Sequence, residues 1–366
     1  MALWIRPTFK VVSIFQHHPI NPIQNPNLPN KKKNTSTSNA SCWSAMEAAG
    51  SDSDGREFKN AQEMWREQIG DGDEADNHKK TQWYRDGVAY WEGVEASVNG
   101  VLGGFGQVND ADIKGSEAFL NTLLHERFDG GGRNQHLVAL DCGSGVGRIT
   151  KNLLIRYFNE VDLLEPVSHF LDAARESLSQ EYVASNMHKT TNFYCVPLQE
   201  FTPDAGRYDV IWIQWCIGHL TDDDFVSFFK RAKVGLKPGG FFVLKENIAR
   251  NGFVLDNEDR SITRSELYFK DLFHQCGLHL GQLDVSYPTW TYSIKELKHI
   301  LKVGIVIPLD CCSGGVAIQP IGVNLDQKGL PEELFAVKMF ALTTDVPKKV
   351  HKTRSKAQAN RPGIIK

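Results

Sequence analysis

The sequence predicts an α/β fold: a Rossmann-like, mostly parallel sheet of seven strands with helices on both faces. Three observations carry that expectation. Short apolar strands alternate with helical stretches through the middle of the chain, the pattern that builds a parallel sheet covered on both sides. A Gly-x-Gly-x-Gly loop, 141-DCGSGVG-147, follows the first of these strands, and the next strand, 161-VDLLE-165, ends in a carboxylate.

Taken in order, Trp83, Tyr84, Val88, Tyr90 and Trp91 after Thr81 suggest an amphipathic aromatic helix. Strands are expected at 137–141, 160–165, 191–196, 208–213 and 240–246, with helices at 147–158, 168–178 and 222–235 between them. Two further strands, 278–285 and 333–342, complete the seven. The segment 287–326 between the last two fits none of this, because a connection of about forty residues is unusual in a compact domain. With Pro288, Pro308, Cys311, Cys312 and Ser313-Gly-Gly, it reads as translated intron sequence rather than a surface insertion, and regular order is not expected of it.

Residues 1–45 hold no Asp or Glu and five basic residues, Arg6, Lys10, Lys31, Lys32 and Lys33. Such a start can be an organelle transit peptide, but its prolines and asparagines spoil a long amphipathic helix. An upstream extension of the gene is the better reading, since Met46 opens a different, acidic stretch. Residues 46–79, with Asp71, Asp73, Glu74 and Asp76, look like a solvated lead-in. The expected division is a disordered extension over 1–80, one domain over 81–345 and a basic disordered tail over 346–366.

The totals exclude several classes. A net charge of −3 gives no basic surplus toward nucleic acid, and no apolar run approaches the ~20 residues that span a bilayer. Seven cysteines without a CxxC pair argue against a zinc site or a disulfide framework, and for reduced thiols.

The glycines at 143, 145 and 147 let the backbone turn sharply and let a ligand lie against it. A dinucleotide loop normally has no acid at the strand end, where it would repel the pyrophosphate. Asp141 suits a ligand bearing an ammonium and a sulfonium, which describes S-adenosylmethionine. Glu165 can accept both hydroxyls of a ribose, although NAD enzymes use the same device, and a surface acid at a strand end would look no different. The turn 236-LKPGG-240 before the strand 241-FFVLKE-246 is weak alone. In this order the three marks make a class I S-adenosylmethionine-dependent methyltransferase the leading reading.

Strand 208-YDVIWI-213 runs into Gln214, Trp215 and His219, beyond the carboxyl end of the sheet where ligands bind. Trp215 offers a flat apolar wall for a proline ring or a methylated ammonium, or is simply core. A second polar cluster comprises Asn247, Asp256, Asp259 and Ser261. The two acids could share a face of a helical turn and line the mouth for a cationic substrate. They could equally cap a helix starting near Ser261. Methyl transfer to nitrogen needs a free lone pair, and a peptide α-amine, with a pKa of about 8 against about 10.4 for lysine, loses its proton with modest help.

The strings 100-GVLGGFG-106, 141-DCGSGVGRIT-150, 208-YDVIWIQWCIGHLTD-222 and 247-NIARNGFVLDNEDRS-261 resemble the α-N-terminal protein methyltransferases, which modify Xaa-Pro-Lys starts. The resemblance spans Thr81 to Leu342 apart from 287–326, and Met46 matches the start of plant-type members. It implies that Gly143, Arg148, Glu165, Leu198, Gln199 and Gln214 hold the cofactor, Arg148 by its carboxylate. It further implies that Trp215 packs on the substrate proline and Asn247 holds the α-amine. Asp259 and His219 would act as bases, and Asp256 with Ser261 would meet the lysine ammonium. Leu102 and Gly103, on the loop after Trp91, would close over the substrate, with Trp91 beside it. Two departures stand out: Glu165 where animal members carry Asp, and Phe335 where a Tyr is usual. The family's targets imply cytoplasm and nucleus. The competing readings are a class I methyltransferase for a small metabolite amine or hydroxyl, a methyltransferase-like binding protein without chemistry, and an NAD-dependent reductase.

Overall fold

In the computed structural model, residues 47–71, 74–128, 135–179, 188–280 and 335–344 are described. The segment 287–326 and the tail 346–366, together with residues 1–45, lie outside them. The sheet grows from strand β3 (Val138–Cys142), whose five residues are all buried. It is flanked by parallel β4 (Glu160–Leu164) and β6 (Tyr208–Gln214), and continued by parallel β5 (Lys189–Tyr194) and β7 (Leu236–Ile248). Antiparallel β11 (Ala336–Thr343) and β10 (His279–Leu280) close the far edge. The order β10-β11-β7-β6-β3-β4-β5 makes seven mostly parallel strands. β11 starts at Ala336 rather than 333, and pairs with β7 from Ala336↔Ile248 to Leu342↔Phe242.

Side chains on a strand alternate faces, and the two faces carry different cores. Val210 and Trp212 of β6 join α4 (Asn109–Arg127) and α6 (Ser168–Ser179). Ile211 and Ile213 join α7 (Asp222–Gly235) and α8 (Glu266–Gln275). The Pro-Gly-Gly turn expected before β7 is instead an irregularity within it. The register jumps from Tyr208↔Leu236 to Val210↔Phe241, so Lys237–Gly240 bulge out, with Gly239 at φ 80°.

Two expectations are corrected. Residues 46–79 are no solvated lead-in, and order begins well before Thr81. β1 (Gly50–Asp52), β2 (Glu57–Phe58) and α1 (Ala61–Ile69) pack Phe58, Met64 and Trp65 into the main core. The aromatic helix α2 (Glu74–Glu92) likewise begins upstream of Thr81. The physical reason is α1's apolar spacing, Ala61, Met64, Trp65 and Ile69, which gives a helix with one buried face. Its start is fixed by Asn60, whose side chain accepts the Glu63 amide at 2.9 Å.

The second correction concerns Asp256 and Asp259. No helix starts near Ser261. The chain forms an antiparallel hairpin of β8 (Phe253–Asp256) and β9 (Ser261–Arg264), and the two acids sit in its turn. Helix α8 is capped by Ser265, which accepts from the Tyr268 amide. β1 pairs parallel to β8, so β2-β1-β8-β9 form a second, four-stranded sheet.

Candidate active site

A cavity opens at the carboxyl ends of β3, β4 and β6, the expected place for a ligand in a sheet of this kind. Its empty volume, open mouth included, is about 1070 Å³, at the upper end of the roughly 300–1,000 Å³ typical of ligand pockets. All six residues expected to hold a cofactor line it: Gly143, Arg148, Glu165, Leu198, Gln199 and Gln214. Trp91, Trp215 and His219 line it as well.

The loop after β3 is built to admit a ligand. Gly143 sits at φ 63°, and a Cβ there would run into the Cys216 side chain, so only glycine fits. Asp141 is buried, and one of its oxygens accepts from the Thr150 amide at 3.2 Å and hydroxyl at 2.6 Å. Burial pushes its carboxyl up to about 6. Glu165 reaches back to the loop: one oxygen accepts the Gly145 amide at 2.9 Å, the other the Val167 amide at 3.0 Å. Burial pushes it up to about 7 against those two bonds. Each oxygen keeps a second lone pair, so a diol can still be received. Ser144 Oγ is buried with no hydrogen-bond partner among the described residues, a polar atom waiting for one.

Two lining residues, Arg148 and Gln214, lead into a buried charged cluster. Arg148 donates to Asp112 at 2.6 Å, Gln214 Nε2 donates to both Asp112 oxygens at 3.0 Å, and the buried Lys245 ammonium pairs with the same carboxylate. Burial would raise Asp112, but the two cations outweigh it and hold it below the usual carboxylate range. Both cations also lie against the Trp215 ring, Arg148 at 5.4 Å and Lys245 at 5.7 Å. Trp215 has φ 53°, which a non-glycine residue adopts only where its surroundings hold it, and its indole Nε1 is buried without a partner among the described residues. Sequence reasoning missed Asp112 and Lys245. Nothing in 241-FFVLKE-246 distinguishes a buried lysine from one at a strand end.

His219 ends a short 3₁₀ turn, Ile217–His219. Its Nε2 accepts from the Trp91 indole at 3.1 Å, and Nδ1 faces the Arg260 carbonyl at 3.2 Å. A carbonyl can only accept, so the ring proton sits on Nδ1 and the Nε2 lone pair is taken by Trp91. Helix α2 holds this loop from behind, with Trp83 Nε1 donating to the His219 carbonyl at 2.9 Å.

Asn247, Asp256, Asp259 and Ser261 do not line the cavity; of that stretch Arg260 does. Asp256 Oδ1 accepts the Glu258 amide at 2.8 Å and the Asp259 amide at 3.4 Å, which tightens the hairpin turn. One oxygen of Asp259 is buried and unpartnered among the described residues. Burial pushes its carboxyl up, against His219 and Ser261, which favour its charge. Asn247 lies on β7 opposite Val337. Leu102 and the exposed Gly103 follow the short helix α3 (Val98–Val101), and of that stretch Val101 reaches the cavity. Phe335, just before β11, is 40% exposed.

The family described as AdoMet dependent proline di-methyltransferase matches residues 79–297. The chain belongs to this family. An "Alpha N-terminal protein methyltransferase 1" of Arabidopsis thaliana is 65% identical over 322 residues, covering 88% of this chain and all of the relative. An "N-terminal Xaa-Pro-Lys N-methyltransferase 1" of Xenopus tropicalis is 42% identical over 201 residues, covering 55% of this chain and 87% of the relative. A solved SAM-dependent methyltransferase of Leishmania major shares 33% identity at a TM-score of 0.59, covering 81% of this chain and 96% of the other. As a member of the AdoMet-dependent family the chain is a methyltransferase, its cofactor is S-adenosylmethionine, and the acid-flanked glycine loop fits that ligand. The NAD reductase reading falls. Among the described residues no cluster could hold a metal ion, and no helix is long and apolar enough to cross a membrane.

Proposed function

We propose that this protein methylates the free α-amino group of proteins whose exposed N-terminus reads Xaa-Pro-Lys. The observation that carries the reading is the acidic hairpin turn next to Arg260, which lines the cavity, with one Asp259 oxygen buried and unpartnered among the described residues. A small-metabolite enzyme has no use for a second acid, Asp256, held in the same turn.

S-adenosylmethionine, when bound, supplies a methyl group on a positively charged sulfur. Gly143 and Gly145 leave room for it. Asp141 takes its ammonium, Glu165 its ribose hydroxyls and Arg148 its carboxylate, with Leu198, Gln199 and Gln214 along the wall. Trp215 stacks on the substrate proline, and its orphan indole N–H donates to the peptide. Trp91 packs beside it, while Leu102 and Gly103 cover the mouth. Asn247 accepts from the α-amine, and Asp256 with Ser261 faces the lysine ammonium.

Deprotonation falls to Asp259. At neutral pH roughly a tenth of an α-amine of pKa about 8 is already neutral, and a buried carboxylate whose pKa is raised takes the proton from the rest more readily. His219, with its lone pair engaged by Trp91, orients Trp91 and the Arg260 carbonyl instead of acting as a second base. The remaining catalysis is alignment of nitrogen, methyl carbon and sulfur. The reading extends to cytoplasm and nucleus as the places of action.

The test is mass spectrometry of a Ser-Pro-Lys peptide incubated with the full chain and S-adenosylmethionine. Methyl-sized mass gains confined to the α-amine support the reading. Gains on the lysine side chain, or none while a small amine is methylated, would reassign the substrate.

A further inference from the structure

The segment Gly50–Ile69 lies before residue 79, where the family match begins, and nothing in the methyl-transfer chemistry requires it. Yet it grips the acid-bearing hairpin at both strands. On the β8 side, Ser51 pairs with Val254 and Asp52 with Leu255, and the Ser53 amide donates to the Leu255 carbonyl at 2.8 Å. Phe58 packs on Phe253 with ring centroids 6.1 Å apart. On the β9 side, Trp65 Nε1 donates to Asp222 Oδ2 at 2.8 Å, and Asp222 Oδ1 receives Arg264 at 2.8 Å.

The closest grip is on the turn itself. Asn257 lies between Asp256 and Asp259. Its side-chain amide donates to Asp52 Oδ2 at 3.1 Å and Asp54 Oδ2 at 2.9 Å, while its backbone amide donates to Ser53 Oγ at 3.2 Å. Asp52 is itself fixed. It is 6% exposed, and its Oδ1 accepts the amides of Asp54 at 3.0 Å and Arg56 at 2.9 Å. The turn over residues 256–260 carries three acids, Asp256, Glu258 and Asp259, which repel one another, so an isolated hairpin would splay.

We infer that the N-terminal segment is a substrate-positioning element, in which Asp52 through Asn257 sets where Asp256 and Asp259 meet the peptide. Asp52 is thus a positioning residue, not a catalytic one. The inference rests on the reading that this hairpin faces the substrate.

The test uses the full chain with Asp52→Asn, Asn257→Ala and the double variant, and Asp256→Ala as a control. In Asp52→Asn the side-chain oxygen still accepts the Asp54 and Arg56 amides, while an amide now opposes the Asn257 amide, so only the clasp is lost. The expected result is a KM for a Ser-Pro-Lys peptide raised about 3- to 10-fold, the loss of one hydrogen bond at roughly 0.5–1.5 kcal/mol. S-adenosylhomocysteine affinity stays unchanged, and the double variant is no worse than Asn257→Ala, which loses the Asp54 bond as well. KM does not depend on the fraction of folded enzyme, so a merely structural role lowers kcat and the melting temperature with peptide KM intact, which overturns the inference. If Asp256→Ala also leaves peptide KM intact, the substrate-facing reading itself fails. If Asp256→Ala raises it and Asp52→Asn does not, the positioning inference alone fails.

Discussion

At the scale of single residues, the site stores its ligand preference as displaced protonation. Asp141 and Glu165 are pushed up to about 6 and about 7 by burial. A ligand whose ammonium and hydroxyls donate to them favours the ionised forms, so binding releases protons wherever the free groups hold them. Affinity for S-adenosylhomocysteine is therefore expected to be full above about pH 8 and to fall as pH drops through 7 and then 6, by up to about tenfold per unit for each group. Calorimetric titration from pH 5.5 to 8 measures it. Glu165→Gln should remove the upper step, and a flat profile in the unaltered protein would contradict the assignment. Asp259→Asn should lower kcat by on the order of 10²-fold, the lower end for a positioned base, with cofactor affinity unchanged. If kcat for the peptide survives, the proton leaves by another route. Asp141 and Glu165 were legible in the sequence because chemistry at a strand end restricts residue type. That His219 has no free lone pair was not, since it depends on Trp91, 128 positions away.

At the scale of elements, the strands were legible because a buried parallel sheet demands continuous apolar runs. The hairpin was missed for a local reason. Asp256–Ser261 reads as an acidic helix start, but Ile262 and Thr263 are β-branched and Ser265 is the residue that caps. The other gap was the link between α4 and β7. Asp112 answers two cations, so its removal leaves Lys245 and Arg148 facing each other without compensation. Asp112→Ala is expected to destabilise by about 3–5 kcal/mol, as when one partner of a buried pair is deleted. It should also free the Trp215 loop and weaken cofactor binding. Adding Lys245→Met should recover part of the loss, because the uncompensated charge goes with it. Denaturant melts of the three variants decide this, and strict additivity would show that the two groups do not act as one.

At the scale of the whole molecule, the sequence misplaced where the domain begins. Residues 46–79 are rich in charge and glycine, so composition argued for solvent. The contrary signal was short: four apolar positions at helical spacing after an Asn60 cap. Composition averages over such a pattern, while folding does not. Phe58, Met64 and Trp65 belong to the same core as Trp83 and Phe253, and each such side chain contributes about 1.5–3 kcal/mol when buried. Deleting the segment also releases the cost of ordering its backbone, about 1–2 kcal/mol per residue, so most of that sum cancels. What does not cancel is the surface left behind. Trp83 loses the edge-on ring of Trp65 at 5.3 Å, Asp222 loses its indole donor, and Phe253 loses Phe58. A chain starting at Thr81 should therefore melt lower than one starting at Met46, by roughly 5–15 °C. That range corresponds to a net loss of about 2–4 kcal/mol in a domain of this size. Trp65→Ala in the full chain should reproduce a large part of the drop through the cavity it leaves. Equal melting of the two truncations would mean that the segment rides on the domain without supporting it. The hairpin acids would then owe their placement to β8 and β9 alone.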